Sequence, residues 1–163
     1  MSKGFLWFCQ NNDKTDYVEL SISLAKSIKK YNIHNKVCVI TDTKTKINSP
    51  LIDDVKVLTT DESENDDIKW GNEFQAFYMS PFTHTIKLAA DMLWTSNTDW
   101  WWYHLWQHDM IFSVDCYNYK DQLVKDITYR PHHDRNRLPN IYSDLTYFRR
   151  SATTIRFGKI CEA

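Results

Sequence analysis

The sequence predicts an α/β domain built on a mixed, mostly parallel sheet with helices on both faces. Three observations predict it. Short apolar runs of strand length, rich in β-branched and aromatic residues, punctuate the chain: "GFLWFCQ", "KVCVITD" and "HTIKLAADML". Between them lie stretches whose apolar residues recur at helical spacing. Strand and helix signals alternate, and alternation of this kind implies parallel strands joined by crossover helices.

The first run, Gly4–Gln10, reads as a buried strand, and "NNDKTD" after it as a loop. Asp16 is placed to cap a helix, with Glu19 three residues on in the manner of a capping box. Tyr17, Leu20, Leu24, Ile28 and Tyr31 then form one apolar stripe. Lys36–Asp42 is a second strand and Asp54–Thr60 a third, alternating one. The acidic run Asp61, Glu62, Glu64, Asp66 and Asp67 reads as a solvated loop. Asn72–Ser80 is a short helix stopped by Pro81. "HTIKLAADML" is the fourth strand, "DWWWYHLWQ" the next helix and Met110–Tyr119 another strand. Arg130–Asn140 is a polar, proline-bearing loop. "IYSDLTYFRRS" returns to a strand, and "ATTIRFGKI" opens a last helix.

Composition sets bounds on function. The 163 residues suit one domain over 1–163 with a core of its own. A net charge of -1 argues against the whole chain acting as an electrostatic glue for nucleic acid. The segment from Lys120 onward is nonetheless basic, with nine Lys or Arg against five Asp or Glu. No apolar run has the length of a membrane span, and the apolar core of the N-terminal "MSKGFLWFCQ" is too short for a secretory signal. Cys9, Cys38, Cys116 and Cys161 form no C-x-x-C pair, which suggests free thiols in a reducing, cytoplasmic compartment.

Ligands of parallel sheets bind outside the carboxyl ends of the strands. Three such ends carry polar residues here: Gln10–Asn11–Asn12, Asp42 and Asp91. With parallel strands all three face one crevice. Each also has a plainer account. Asp91 and Asp42 suit turns or helix caps, and Gln10–Asn12 suits a polar turn before a helix. In "DWWWYHLWQHD", Trp102 and Trp106 share a helical face that fits a core. The remaining rings could form an exposed patch and a homo-oligomer interface. His104 and His108 have the spacing of a helical metal pair, but no third ligand is indicated. "HHDRNR" (His132–Arg137) offers phosphate contacts or a solvated loop. Of Arg149 and Arg150 at most one can point into a cleft.

"EFQAFYMSPFTHTIKLAADMLW", then "TDWWWYHL", then "LPNIYSDLTYFRRS" resembles the nucleotide-sugar glycosyltransferases of the Rossmann-like GT-A fold, in their short, phage-type or glycogenin-like form. The resemblance covers roughly Gly4 to Ile160 as an arrangement of elements. It is motif-specific over Asn72–Trp106 and Pro139–Ser151. It implies a nucleotide-diphosphate sugar donor, most simply a UDP-sugar, and transfer to a hydroxyl acceptor. The end of the first strand and its loop (Cys9, Gln10, Asn11, Asn12 and Tyr17) would hold base and ribose, and Asp42 the ribose. An acid-x-Asp motif would bind Mn²⁺ or Mg²⁺ through Asp91. The first acid of that motif falls on Ala89, where a methyl stands for a carboxylate. A small residue on the acceptor side of the family falls on Asp144, which could serve as a base or block the slot. A C-terminal histidine motif has no match, so the domain reads as C-terminally short of the glycogenin-like members. The expectation is a metal-assisted glycosyltransferase. The alternatives are a catalytically impaired binding protein of the same fold, gripping a nucleotide, glycan or partner protein, and a transferase acting on DNA bases.

Overall fold

The structure is a computed structural model that describes residues 2–63, 69–124, 135–139 and 141–162. Six strands form one sheet: β1 (Lys3–Cys9), β2 (Lys36–Thr41), β3 (Asp54–Val57), β4 (His84–Leu88), β5 (Met110–Val114) and β6 (Ile141–Arg149). Their spatial order is β3-β2-β1-β4-β6-β5. β1 lies between β2 and β4 and runs parallel to both, with Phe5 opposite Val37 on one side and Ile86 on the other. β3 continues the parallel block beyond β2. β6 turns back antiparallel to β4, and β5 antiparallel to β6. The fold class expected from the sequence is the one observed.

Among the described residues the helices are α1 (Tyr17–Tyr31), α2 (Ala76–Met79), α3 (Trp101–Leu105) and α4 (Ala152–Glu162), with a 3₁₀ segment at Lys69–Gln75 leading into α2. α1 starts where Asp16 caps it: the Asp16 carboxylate accepts from Val18 N at 2.9 Å and Glu19 N at 3.2 Å. Capping by such a side chain satisfies amide groups that a helix start leaves unpaired. Lys29 and Lys30 lie in the last turn, where the helix dipole favours cations.

Side-chain alternation along the strands divides the core. Phe5, Trp7, Val37, Val39, Ile86, Leu88 and Tyr147 face α1 (Leu24, Ala25, Ile28) and the rings of Trp94 and Trp102. Leu6, Cys38, Ile40 and Phe148 face Ala76 and Phe77 of α2 and Phe157 of α4. Each fully buried aliphatic or aromatic side chain contributes roughly 1.5–3 kcal/mol.

Several expected elements are shorter than the runs that predict them: the third strand ends at Val57 rather than Thr60, and only Ala76–Met79 of Asn72–Ser80 is α-helical. β4 stops at Leu88, because β1 gives it no partner beyond Lys87 and Met92 N turns back onto Ala89 O at 3.3 Å. β5 stops at Val114, because Asp115 takes a left-handed φ of 57°. The tryptophan helix spans only Trp101–Leu105, so His108 lies beyond it and the helical histidine pair does not form. The tryptophans divide as a core reading implies for Trp102, which is buried edge-on to Phe5. Trp106, expected on the same face, is 43% exposed, and Trp100 is 63% exposed.

Candidate functional site

The parallel block brings the carboxyl ends of β1, β2 and β4 to one edge of the sheet. From β1 the chain passes outward to β2 and β3, then crosses back to β4 on the other side of β1. The ends of β1 and β4 therefore flank a topological switch point, where such sheets open a crevice. Gln10 follows β1, Asp42 follows β2, and Ala89–Asp91 follow β4.

Gln10 is 2% exposed and fully engaged. Its Oε1 accepts from Asn72 Nδ2 at 3.0 Å, and its Nε2 donates to Asp61 Oδ2 at 3.3 Å. Asn72 Nδ2 also donates to Asp61 Oδ1 at 2.8 Å, and Gln75 Nε2 closes the group on Thr60 O at 2.7 Å. This buried amide network ties the loop after β3 to the end of β1. Asp61 is thus an anchor rather than part of a solvated acidic loop, while Glu64, Asp66 and Asp67 lie outside the described residues.

The other N-terminal candidates are placed as follows. The Cys9 thiol lies in the core, and burial pushes its pKa up to about 11. Asn11 is exposed at the strand end; its Oδ1 accepts from Val18 N at 3.2 Å. Asn12 Oδ1 accepts from the amides of Lys14 and Thr15, both at 2.9 Å, and so holds the turn. Tyr17 is half-buried against the core on the α1 face. Asp42 is buried, and its Oδ1 accepts from the amides of Lys44 and Thr45, so it works as a turn residue. Of this group Asn11 presents the most open polar surface.

At the end of β4 the arrangement is more open. Asp91 is exposed in the turn. The Ala89 N–H donates to the Asp144 carbonyl at 3.0 Å, which extends the Leu88–Leu145 register by one pair. Asp144, exposed on β6, therefore stands opposite the alanine, and the two acids Asp91 and Asp144 flank the same strand end. Among the described residues no three His, Cys, Asp or Glu side chains converge. One exposed turn carboxylate beside a methyl does not fit a protein-held divalent ion, which takes several oxygen ligands.

Sequence reasoning missed Lys87 and Glu73. Lys87 sits within an apolar strand, its side chain only 4% exposed, and its Nζ lies 2.9 Å from Glu73 Oε2 and 3.1 Å from Ser143 O. A lysine inside an otherwise apolar strand run was the signal, because a buried cation demands a partner.

Other candidates lie elsewhere. Arg149 pairs with His84 at the amino end of β4, away from the crevice, and its guanidinium holds Asp109 Oδ1 at 2.6 and 3.0 Å. Arg150 reaches Ser80 O at 3.4 Å at the same end. His104 and His108 are exposed. His132, His133 and Asp134 lie outside the described residues, and Arg135–Arg137 are exposed.

This chain has a glycosyltransferase-like fold. The solved structure of the mannosyltransferase Ktr4p from S. cerevisiae is similar to it, with a TM-score of 0.55 at 11% sequence identity. The similarity covers 99% of this chain and 60% of that one, so the chain spans about three fifths of the length of the transferase it matches. At that identity the likeness is one of fold alone. No family model and no curated protein matches the chain. Among the described residues no helix is long and apolar enough to cross a membrane.

Proposed function

We propose that the chain is a glycosyltransferase that binds a nucleotide-diphosphate sugar, most simply a UDP-sugar, in the crevice between the ends of β1 and β4. The observation that carries this reading is the switch point itself, on a glycosyltransferase-like sheet, with Asn11 on one side and Asp91 and Asp144 on the other. In the proposed reaction the bond from the anomeric carbon to the diphosphate oxygen breaks. A bond from that carbon to the acceptor hydroxyl oxygen forms, the nucleoside diphosphate departs with the electron pair of the broken bond, and the hydroxyl proton passes to the Asp144 carboxylate. Asp144 is the acid on the acceptor side, exposed and opposite the strand end. Gln10 shapes the nucleotide floor through its buried network, and Asp42 and Asn12 fix the turns around it. Mn²⁺ or Mg²⁺ enters this reading only as a companion of the diphosphate, and Asp91 is the carboxylate it would meet.

Calorimetric titration with nucleotide-sugars, with and without Mn²⁺, tests the proposal. Binding of at least one donor is expected, and failure of every common donor under both conditions would sink it.

A second reading is favoured by one observation. Ala89 withholds a carboxylate at the strand end, which suits a binding protein that keeps the fold and has lost the transfer. Donor binding without turnover toward any sugar or alcohol acceptor would select this reading.

A further inference from the structure

On the face of the sheet opposite α1, a cavity of about 350 Å³ is walled by residues of β4, β5 and β6, of the 3₁₀ segment Lys69–Gln75, and of the helices α2 and α4. That volume suits a small molecule. Four phenyl rings line it: Phe74, Phe77, Phe112 and Phe157. The ion pair of Lys87 and Glu73 stands in the same wall.

The pair is neutral as a whole, so it offers a charged ligand no net countercharge. Its unused valences are complementary. An ammonium has three hydrogens, and Lys87 spends two, on Glu73 Oε2 and on Ser143 O. Glu73 is 29% exposed, and its second carboxylate oxygen makes no hydrogen bond with the described residues. A hydroxyl is the group that can donate to that oxygen and accept from the ammonium at once.

Position links the cavity to the strand ends. Lys87 lies two residues before Ala89, whose N–H carries the β4–β6 register one pair further, onto Asp144. Ser143 immediately precedes Asp144, and Gly71, also in the wall, precedes Asn72, which holds Gln10.

We infer that this cavity receives the acceptor of the proposed transfer: a neutral molecule whose aryl or alkyl aglycone packs among the phenyl rings and whose hydroxyl bonds to the Glu73–Lys87 pair. The inference rests on the glycosyltransferase reading for the word acceptor, and on the cavity alone for the class of ligand.

The test uses phenyl and benzyl glycosides as probes, with methyl glycosides of the same sugars as controls, on the chain without donor. Calorimetry should show the methyl glycosides binding at least about tenfold more weakly. Cys161 is exposed near the end of α4 and lines the cavity, so Cys161→Phe fills the mouth without entering the core. That variant should lose about tenfold in affinity for phenyl glycosides while its affinity for UDP stays unchanged. Equal binding of methyl and phenyl glycosides, or phenyl binding undisturbed in Cys161→Phe, would overturn the inference. Phenyl glycoside binding by a chain that binds no nucleotide-sugar would overturn the transferase reading and leave the ligand class standing.

Discussion

The backbone N–H of Ala89 donates to the carbonyl oxygen of Asp144 across 3.0 Å, so an alanine and an acid face each other where β4 ends. Directly opposed side chains on an antiparallel pair lie close enough to interact, and like charges there are unfavourable. Ala89→Asp would therefore set two carboxylates against each other, at a cost of roughly 0.2–1 kcal/mol. It would also give the strand end two acids spaced by one residue. The expected outcome is a Mn²⁺-dependent rise in UDP affinity together with a slightly lower melting temperature. Adding Asp144→Asn should restore the melting temperature. Calorimetry and thermal unfolding on the two variants check both halves, and UDP affinity indifferent to Mn²⁺ in Ala89→Asp would favour the binding-protein reading.

The Lys87–Glu73 pair predicts an asymmetry. Removing Glu73 leaves a buried ammonium with only Ser143 O for company, and breaking a buried pair costs up to about 3 kcal/mol. Removing both charges with residues of similar volume is often near neutral. In urea titrations Glu73→Ala should thus be clearly destabilised, while Lys87→Met with Glu73→Leu should unfold close to the wild-type midpoint. Equal losses in the two would mean the pair is not coupled.

The amide network at the end of β1 predicts a stability loss. Asn72→Ala would leave the buried Gln10 Oε1 and the part-buried Glu62 N–H without their partners. An unsatisfied buried polar group costs about 1–3 kcal/mol. The urea midpoint of Asn72→Ala should fall accordingly, and that of Asn72→Asp should fall further, because it keeps an acceptor for Glu62 N but sets a second carboxylate against Asp61 Oδ1 and the Gln10 side-chain carbonyl oxygen.

The parts of this fold that sequence shows are those written in local pattern. β1 and β2 announce themselves as apolar runs, and α1 as a stripe from Tyr17 to Tyr31 capped by Asp16. The direction of β6 is not local: its pattern fits either orientation, and pairing with β4 decides it. The site was legible as a set of strand ends but not as a set of free groups. Gln10 spends its amide on Asn72 and Asp61, which are 62 and 51 residues away in the chain. Asp42 spends its carboxylate on amides two and three residues on, an ordinary turn that its position at a strand end concealed. Lys87 was visible as an oddity, but its partner Glu73 comes from another element.

His84 predicts a pH dependence of stability. Its ring is 3% exposed, its Nδ1 lies 2.7 Å from the Tyr147 hydroxyl, and it stacks on that phenol. Its Nε2 is buried with no partner among the described residues, and Trp106 packs on the ring at 5.6 Å. Burial, then the positive charge of Arg149 and that of the N-terminal amine, hold its pKa below the ordinary value of 6.5. The unfolded chain therefore binds a proton at pH values where the native chain does not, and stability rises with pH through that interval. The contribution is complete above 6.5 and is lost as pH falls toward the depressed native value. His84→Gln keeps a hydrogen-bonding group for Tyr147 and does not titrate. Urea unfolding of the wild type between about pH 5 and 7.5 should steepen toward acid by up to one proton, about 1.4 kcal/mol per pH unit. The His84→Gln variant should show a flatter profile over the same interval, and parallel profiles would place the acid sensitivity in other groups.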